Sequence, residues 1–182
     1  MKHTLFFALY LTSFAGLAQR YVPADQGSRV HFVIKNFGIN TGGDFNGLKG
    51  IILFDTSNMA AAKFDVTVAA NTIDTDNSTR DRHLRSEEYF DAEKFPAIRL
   101  VSTAISKTNK TAEGFYFFTG DLTIRDSTHQ VSFPFKAVKQ ANGYVFTGDF
   151  QINRLHYGVG QKSAVLSNEV AISLSVTAKS HE

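Results

Sequence analysis

Apolar and polar residues alternate along most of this chain with a period of two, the signature of strands that turn one face inward. From Arg29 to Asn36, Val30, Phe32 and Ile34 share one face, and His31, Val33 and Lys35 share the other. The contrast is sharper from Lys63 to Ala70, where Phe64, Val66 and Val68 oppose Lys63, Asp65 and Thr67. Similar runs cover Ile51 to Asp55, Ile98 to Ser106, Phe115 to Leu122, Val131 to Val138, Tyr144 to Gln151 and Glu169 to Thr177. In the last of these, Val170, Ile172, Leu174 and Val176 fall on one face. The pattern predicts about eight strands.

Turn chemistry separates the runs. Asn142-Gly143 is a two-residue hairpin signal, and Gly42-Gly43, Gly114 and Asp126-Ser127 punctuate elsewhere, so most neighbours are expected to pair antiparallel. One segment breaks the period. In residues 77–94, Asn77 and Ser78 can cap a first helical turn and Ser86 a second, with Glu87 and Glu88 where a helix N-terminus favours acids. One or two short helices are predicted there. Their few apolar residues, Leu84, Tyr89, Phe90 and Phe95, are too sparse for independent stability and are read as anchors pressed onto the β-structure. Gly158 to Ser167 is read as a surface loop and Lys179 to Glu182 as a frayed tail.

Residues 1–18 change the picture of the mature chain. Met1-Lys2-His3-Thr4 followed by the apolar stretch Leu5 to Leu17 reads as a signal peptide, with cleavage expected after Ala18. The stretch is too short for the roughly 20 residues of a membrane span, and no later segment approaches that length. An exported, periplasmic or secreted protein is expected. Removing 18 of the 182 residues leaves 164, which is read as one domain, 19–182. The formal charge of +2 is spread among interspersed acids and bases, which argues against a nucleic-acid partner and against a polybasic membrane patch. The chain has no cysteine, so disulfide staples and thiolate catalysis are excluded. Of 17 phenylalanines, Phe6, Phe7 and Phe14 leave with the signal peptide. The rest build a phenylalanine-rich core or line a cavity for an apolar guest.

An antiparallel sheet of about eight strands can stack as a sandwich or close into a barrel, and a barrel of that size is either filled by side chains or holds one small ligand. Strand faces select Phe32, Ile34, Phe45, Phe64, Val66, Val68, Ile98, Leu100, Phe133, Phe135, Phe146 and Phe150 as interior residues, each either lining a tunnel or filling the core. Phe90 joins them from the helical segment. Arg154, beside apolar residues at a strand end, either meets a ligand's polar head or a phosphate through its planar fork, or forms a salt bridge or caps carbonyls at a barrel rim.

Other constellations are weaker. Asp74, Asp76, Asp81 and His83 supply metal-ligand types, but the spacing lacks the glycine and distal glutamate of a calcium loop, and they are read as solvated charges and caps. Gly158 to Ser163 imitates a phosphate loop without its lysine spacing or following helix. No Gly-x-Ser-x-Gly or His-Glu-x-x-His motif is present. No metal or cofactor is expected. If the chain were an enzyme acting on a small lipid-like substrate, His83, His129 or His156 would be its general base.

Four blocks carry a family resemblance: VHFVIKNFGINTGGDFNGLKGIILFD (30–55), TIDTDNSTRDRHLRSEEYFDAEKFP (72–96), GDLTIRDSTHQVSFPF (120–135) and FQINRLHYGVG (150–160). In this order they resemble the YceI-like family of exported lipid-binding proteins. The sequence departs from the family pattern at Asp126, Ser127 and His129, in a turn where a left-handed residue is expected, and at Tyr157. The resemblance implies an all-β fold: an eight-stranded antiparallel barrel, lipocalin-like in shape, whose apolar tunnel holds a polyisoprenoid or fatty-acyl ligand. It also implies a homodimer in some members. The segment 77–94 would then be a plug or lid at one mouth.

Overall fold

In a computed structural model, which describes residues 19–107 and 112–181, the alternation is realised as nine strands in one antiparallel sheet. These are β1 (Arg20–Asn36), β2 (Ile39–Phe45), β3 (Lys49–Leu53), β4 (Lys63–Ala69), β5 (Ala97–Ser106), β6 (Phe115–Ile124), β7 (Ser127–Gln140), β8 (Gly143–Asn153) and β9 (Leu166–Ser180). Each strand from β3 onward pairs with the next, and β9 returns to β1, so the sheet closes. The short strands β2 and β3 lie along one side of β1. The first runs beside its C-terminal half, from Val30↔Phe45 to Asn36↔Ile39, and the second beside its start at Arg20↔Leu53. They act as one interrupted stave, and the result is an eight-stranded antiparallel barrel. The residues expected to be a signal peptide lie outside the described part.

The interruption has a visible support. The register of β1 against β9 slips between Ala24 and Arg29, and the extra residues push Asp25 toward the gap between β2 and β3. There its carboxylate accepts the Gly47 and Leu48 amides, at 3.0 and 2.8 Å, so two backbone donors that left the ladder regain partners.

Several expected boundaries shift. β1 begins at residue 20 rather than 29, because the polar bulge at 25–28 hides the first half of the strand from a period-two reading. Gly42-Gly43 is strand, not turn. A Cβ on Gly43 would fall 2.7 Å from both the Phe32 ring and Thr75, and 2.8 Å from the Asp74 carbonyl, so glycine is required by close approach. The hairpin between β7 and β8 turns on Ala141-Asn142, while Gly143 starts β8, where any side chain would collide with the Ala178 carbonyl. The turn between β6 and β7 is centred on Arg125-Asp126, and Arg125, not Asp126, takes the left-handed conformation, with φ 58°. The expected frayed tail is strand as far as Ser180, paired with Tyr21.

The segment between β4 and β5 forms one helix, α1 (Ser78–Leu84), capped by the Asn77 side chain, which accepts from the Arg80 amide at 3.0 Å. The second helix does not form. Ser86 Oγ donates backward to the His83 carbonyl instead of capping forward, and the chain continues in turns to Phe95. No helix among the described residues is long and apolar enough to cross a membrane.

Candidate ligand-binding site

The barrel interior divides along its axis. At one end the inward rings meet and close it. Phe54 lies at the centre, its ring centroid 5.2 Å from Tyr116 and Tyr144, 5.3 Å from Phe146 and 6.1 Å from Phe64, in edge-to-face geometry. Phe64 packs on Phe146 and Phe135 at 5.2 and 5.5 Å. Phe118, Phe133 and Phe150 stack in sequence, at 4.9 and 4.4 Å. Offset and edge-to-face pairs of this kind add about 0.5–1.5 kcal/mol each beyond the area they bury.

At the other end the rings give way to aliphatic side chains and an apolar cavity of about 330 Å³. Of the residues expected in the site, ten border it. Phe32 and Ile34 come from β1, Phe45 from β2, Val66 and Val68 from β4, and Ile98 and Leu100 from β5. Phe150 comes from β8, Phe90 from the turns after α1, and Arg154 from the short turn that follows β8. Many of these inward residues, Phe32, Ile34, Val66 and Leu100 among them, are only half-buried, because they face open volume.

The other four do not border the cavity. Phe64, Phe133, Phe135 and Phe146 belong to the closed aromatic end and are buried there. Phe150 forms the floor of the hollow, with Phe133 and then Phe118 stacked beneath it. The reason is geometric: two-residue alternation fixes which face a side chain takes, but its height along the axis depends on register and stagger around the whole barrel. Sequence reasoning also missed lining residues. Leu122 of β6 and Ile172 and Leu174 of β9 border the cavity from within the expected runs, and Ile124 borders it two residues past the expected end of its run. Phe54 was missed as well, although it extends the inward face of Ile52 by one step.

Polar groups gather where the helical segment and the residue 154–168 loop meet the barrel. Arg154, only 4 % exposed, spends its fork on carbonyls: Nε donates to Ser167, Nη1 to Val159 and Nη2 to Gln161, at 2.8–2.9 Å. It has no carboxylate partner among the described residues, and burial pushes its pKa below the usual arginine range. It therefore orders the loop around Gly158 and Gly160, the stretch that imitates a phosphate loop, while also bordering the hollow. Arg80 borders the cavity too. Its Nε donates to Thr75 Oγ1 at 2.8 Å and its Nη2 to the Thr75 carbonyl at 2.6 Å. Thr75 in turn donates its hydroxyl to the buried Asp81 carboxylate. Arg80, His83 and Arg154 all line the cavity, and no aspartate or glutamate does.

Arg125 was not anticipated. Its Nη1 donates to the carbonyls of Tyr89 and Gly158, at 2.8 and 2.7 Å, and its guanidinium lies 5.8 Å from the Phe95 ring. It fastens the helical segment to the loop, closing that end of the barrel.

The remaining candidates are dispersed. Asp81 is committed to Thr75, and Asp74 Oδ1 accepts the Asp76 amide. Among the described residues no cluster of three or more His, Asp or Glu could hold a metal ion. His129 and His156 lie outside the cavity lining, with His129 Nε2 3.0 Å from the His156 carbonyl. His83 sits at the rim against Tyr89, its Nε2 3.9 Å from Glu88. The tightest histidine–carboxylate pair, His31 with Asp44 at 2.9 Å, also engages Arg29; it stands on the strand face opposite Phe32 and Ile34, yet His31 borders the cavity at its edge.

Comparison with known proteins agrees with this architecture. A model of the YceI-like domain matches residues 21–178. A UPF0312 protein of Yersinia enterocolitica is 33% identical over 178 residues, which is 93% of this chain and 91% of the relative. Among solved structures, BcnA of Burkholderia cenocepacia superposes with a TM-score of 0.78 at 23% identity, covering 85% of this chain and 98% of that one. A polyisoprenoid binding domain from Saccharophagus degradans superposes with a TM-score of 0.70 at 14% identity, covering 91% and 99%. At these identities the two structures share the fold.

Proposed function

Since the chain belongs to the YceI-like family, we propose that it is a binding protein, periplasmic or secreted, whose barrel encloses the tail of a long-chain amphiphile such as a polyisoprenoid or fatty-acyl lipid. The observation that carries this reading is the apolar hollow of about 330 Å³ ending on an aromatic floor. An apolar cavity of about 150 Å³ admits a benzene ring, so this one has room for on the order of a dozen carbons. At ~0.8 kcal/mol per buried methylene, a dozen carbons supply roughly 10 kcal/mol gross, against which ordering and association costs are set. A neutral head-group hydrogen bond adds only about 1 kcal/mol. The tail therefore dominates affinity, with the head lying at the Arg80, His83 and Arg154 rim. Of the two histidines that border the hollow, His83 has its nearest carboxylate, Glu88, at 3.9 Å, and His31 shares its carboxylate, Asp44, with Arg29; the apolar lining around them favours binding over chemistry. The polyisoprenoid binding named for the structural neighbour from Saccharophagus degradans supports the same class of ligand.

Mass spectrometry of an organic extract of the purified native protein tests the reading. A stoichiometric chain lipid is expected. An extract empty of lipid, from a protein that also fails to take up an added long-chain fatty acid, would overturn it.

A further inference from the structure

The hairpin joining β1 to β2 ends in two of the most exposed large apolar residues described. Phe37 is 73 % exposed and Ile39 70 %. Phe37 also sits at φ 50°, followed by Gly38 at φ 77°, a primed hairpin turn whose first position suits asparagine, aspartate or glycine. An aromatic ring there is unfavourable twice, in its backbone conformation and in its contact with water, and nothing in the fold repays either cost. The tip is not isolated. The Phe37 amide donates to the Val165 carbonyl at 2.8 Å, which ties the hairpin to the loop carrying Val165, itself 41 % exposed.

Charge and position say what this apolar tip meets. Lys35 and Lys162 are exposed in the two segments, and neither residues 35–43 nor residues 155–168 contain an acidic residue. Both segments also reach the cavity: Ile34 and Asn36 from the hairpin, and Leu166 from the loop, border it. The apolar tip, its cationic flanks and the hollow thus share one end of the barrel, opposite the closed aromatic end. We propose that the Phe37–Ile39 hairpin tip and the Val165 loop form a docking surface for an anionic lipid bilayer, which seats the cavity-bearing end of the barrel against the membrane. Apolar side chains enter the interface while lysines stay at the head groups, and so few of each give reversible, salt-sensitive attachment. This rests on the lipid-binding reading only for its purpose, the passage of a chain between bilayer and cavity without crossing water.

Flotation with phosphatidylcholine vesicles, with and without about 30% phosphatidylglycerol, tests it on the full-length mature chain. The wild type is expected to float with the anionic vesicles and to be released by high salt. The pair Phe37→Asn with Ile39→Thr is chosen because asparagine tolerates positive φ and threonine suits a strand, so the fold is retained. It should lose at least about five-fold in bound fraction while carrying as much extractable lipid as the wild type; Lys35→Gln with Lys162→Gln should lower binding to the anionic vesicles only. Equal flotation of the tip variant and the wild type would overturn the proposal. So would a wild type that floats with neither vesicle, or one in which the tip substitution only converts a dimer to a monomer. If the wild type carries lipid but never floats, docking fails and the carrier reading stands. If it floats but never holds lipid, the carrier reading fails and docking stands.

Discussion

At the scale of single residues, two arginines at the same rim do different work. Arg154 is a buried cation whose three nitrogens each donate to a carbonyl of the following loop. Replacing it by methionine keeps most of the stem and strands those carbonyls; at about 1–3 kcal/mol for a buried group left unpaired, the expected loss is about 3 kcal/mol or more, measurable by denaturant unfolding. Arg80 is partly exposed, and its bonds stay within the residue 75–81 cap. Arg80→Gln should therefore cost little stability. It should weaken a carboxylate-headed lipid by roughly ten-fold, on the scale of one charged hydrogen bond of about 1.5 kcal/mol, and leave the matching alcohol unchanged. Competition binding with a fatty acid and its alcohol would show whether the rim distinguishes them.

At the scale of elements, cross-strand partners hold the outer face and rings hold the inner one. On the outside, Arg99 of β5 grips Asp65 of β4 through two bonds at 2.7 and 2.9 Å. The Arg99 guanidinium holds the Asp65 carboxyl below the usual carboxylate range. Because the folded value is the lower one, the unfolded chain takes up the proton first as pH falls. The pair's contribution is complete above the unfolded carboxylate pKa and gone below the folded one. The difference in melting temperature between the wild type and Asp65→Asn should be positive at neutral pH and vanish in strong acid, and it should be small, since exposed ion pairs are worth about 0–1 kcal/mol. On the inside, Phe133 supports Phe150 from below, and Phe133→Ala should deepen the hollow, admitting a chain about two to four carbons longer at a cost of about 3–5 kcal/mol in stability. Comparing the lipids extracted from the two proteins checks this.

How legible these elements were depends on what fixes them. Strand faces were plain wherever one face is apolar, as in Lys63 to Ala70, because burial of that face selects the pattern. β2 was hidden by Gly42, which lies close against the His31 ring, and Gly43, which packs on Phe32 and Thr75, tertiary demands with no local signature. The first half of β1 was hidden by its bulge. Where a second helix was expected, the Ser86 hydroxyl donates back to the His83 carbonyl, a direction that the residue type alone leaves open. In the site, Phe32 and Phe133 read alike as inward aromatics; only the closed ladder puts one beside the hollow and the other beneath it.

At the scale of the whole molecule, the barrel is closed by the β1–β9 ladder, plugged by aromatic rings at one end and capped at the other by α1 and its turns, which Arg125 fastens to the residue 158 loop. A hollow with a floor has a length, and that is the central claim. Affinity measured for a series of saturated fatty acids, with the head group held constant, tests it most directly. Binding should tighten with each added methylene until roughly a dozen carbons are enclosed, then level off as further carbons stay outside. An affinity that does not depend on chain length, or that keeps rising well past that length, would contradict a floored hollow.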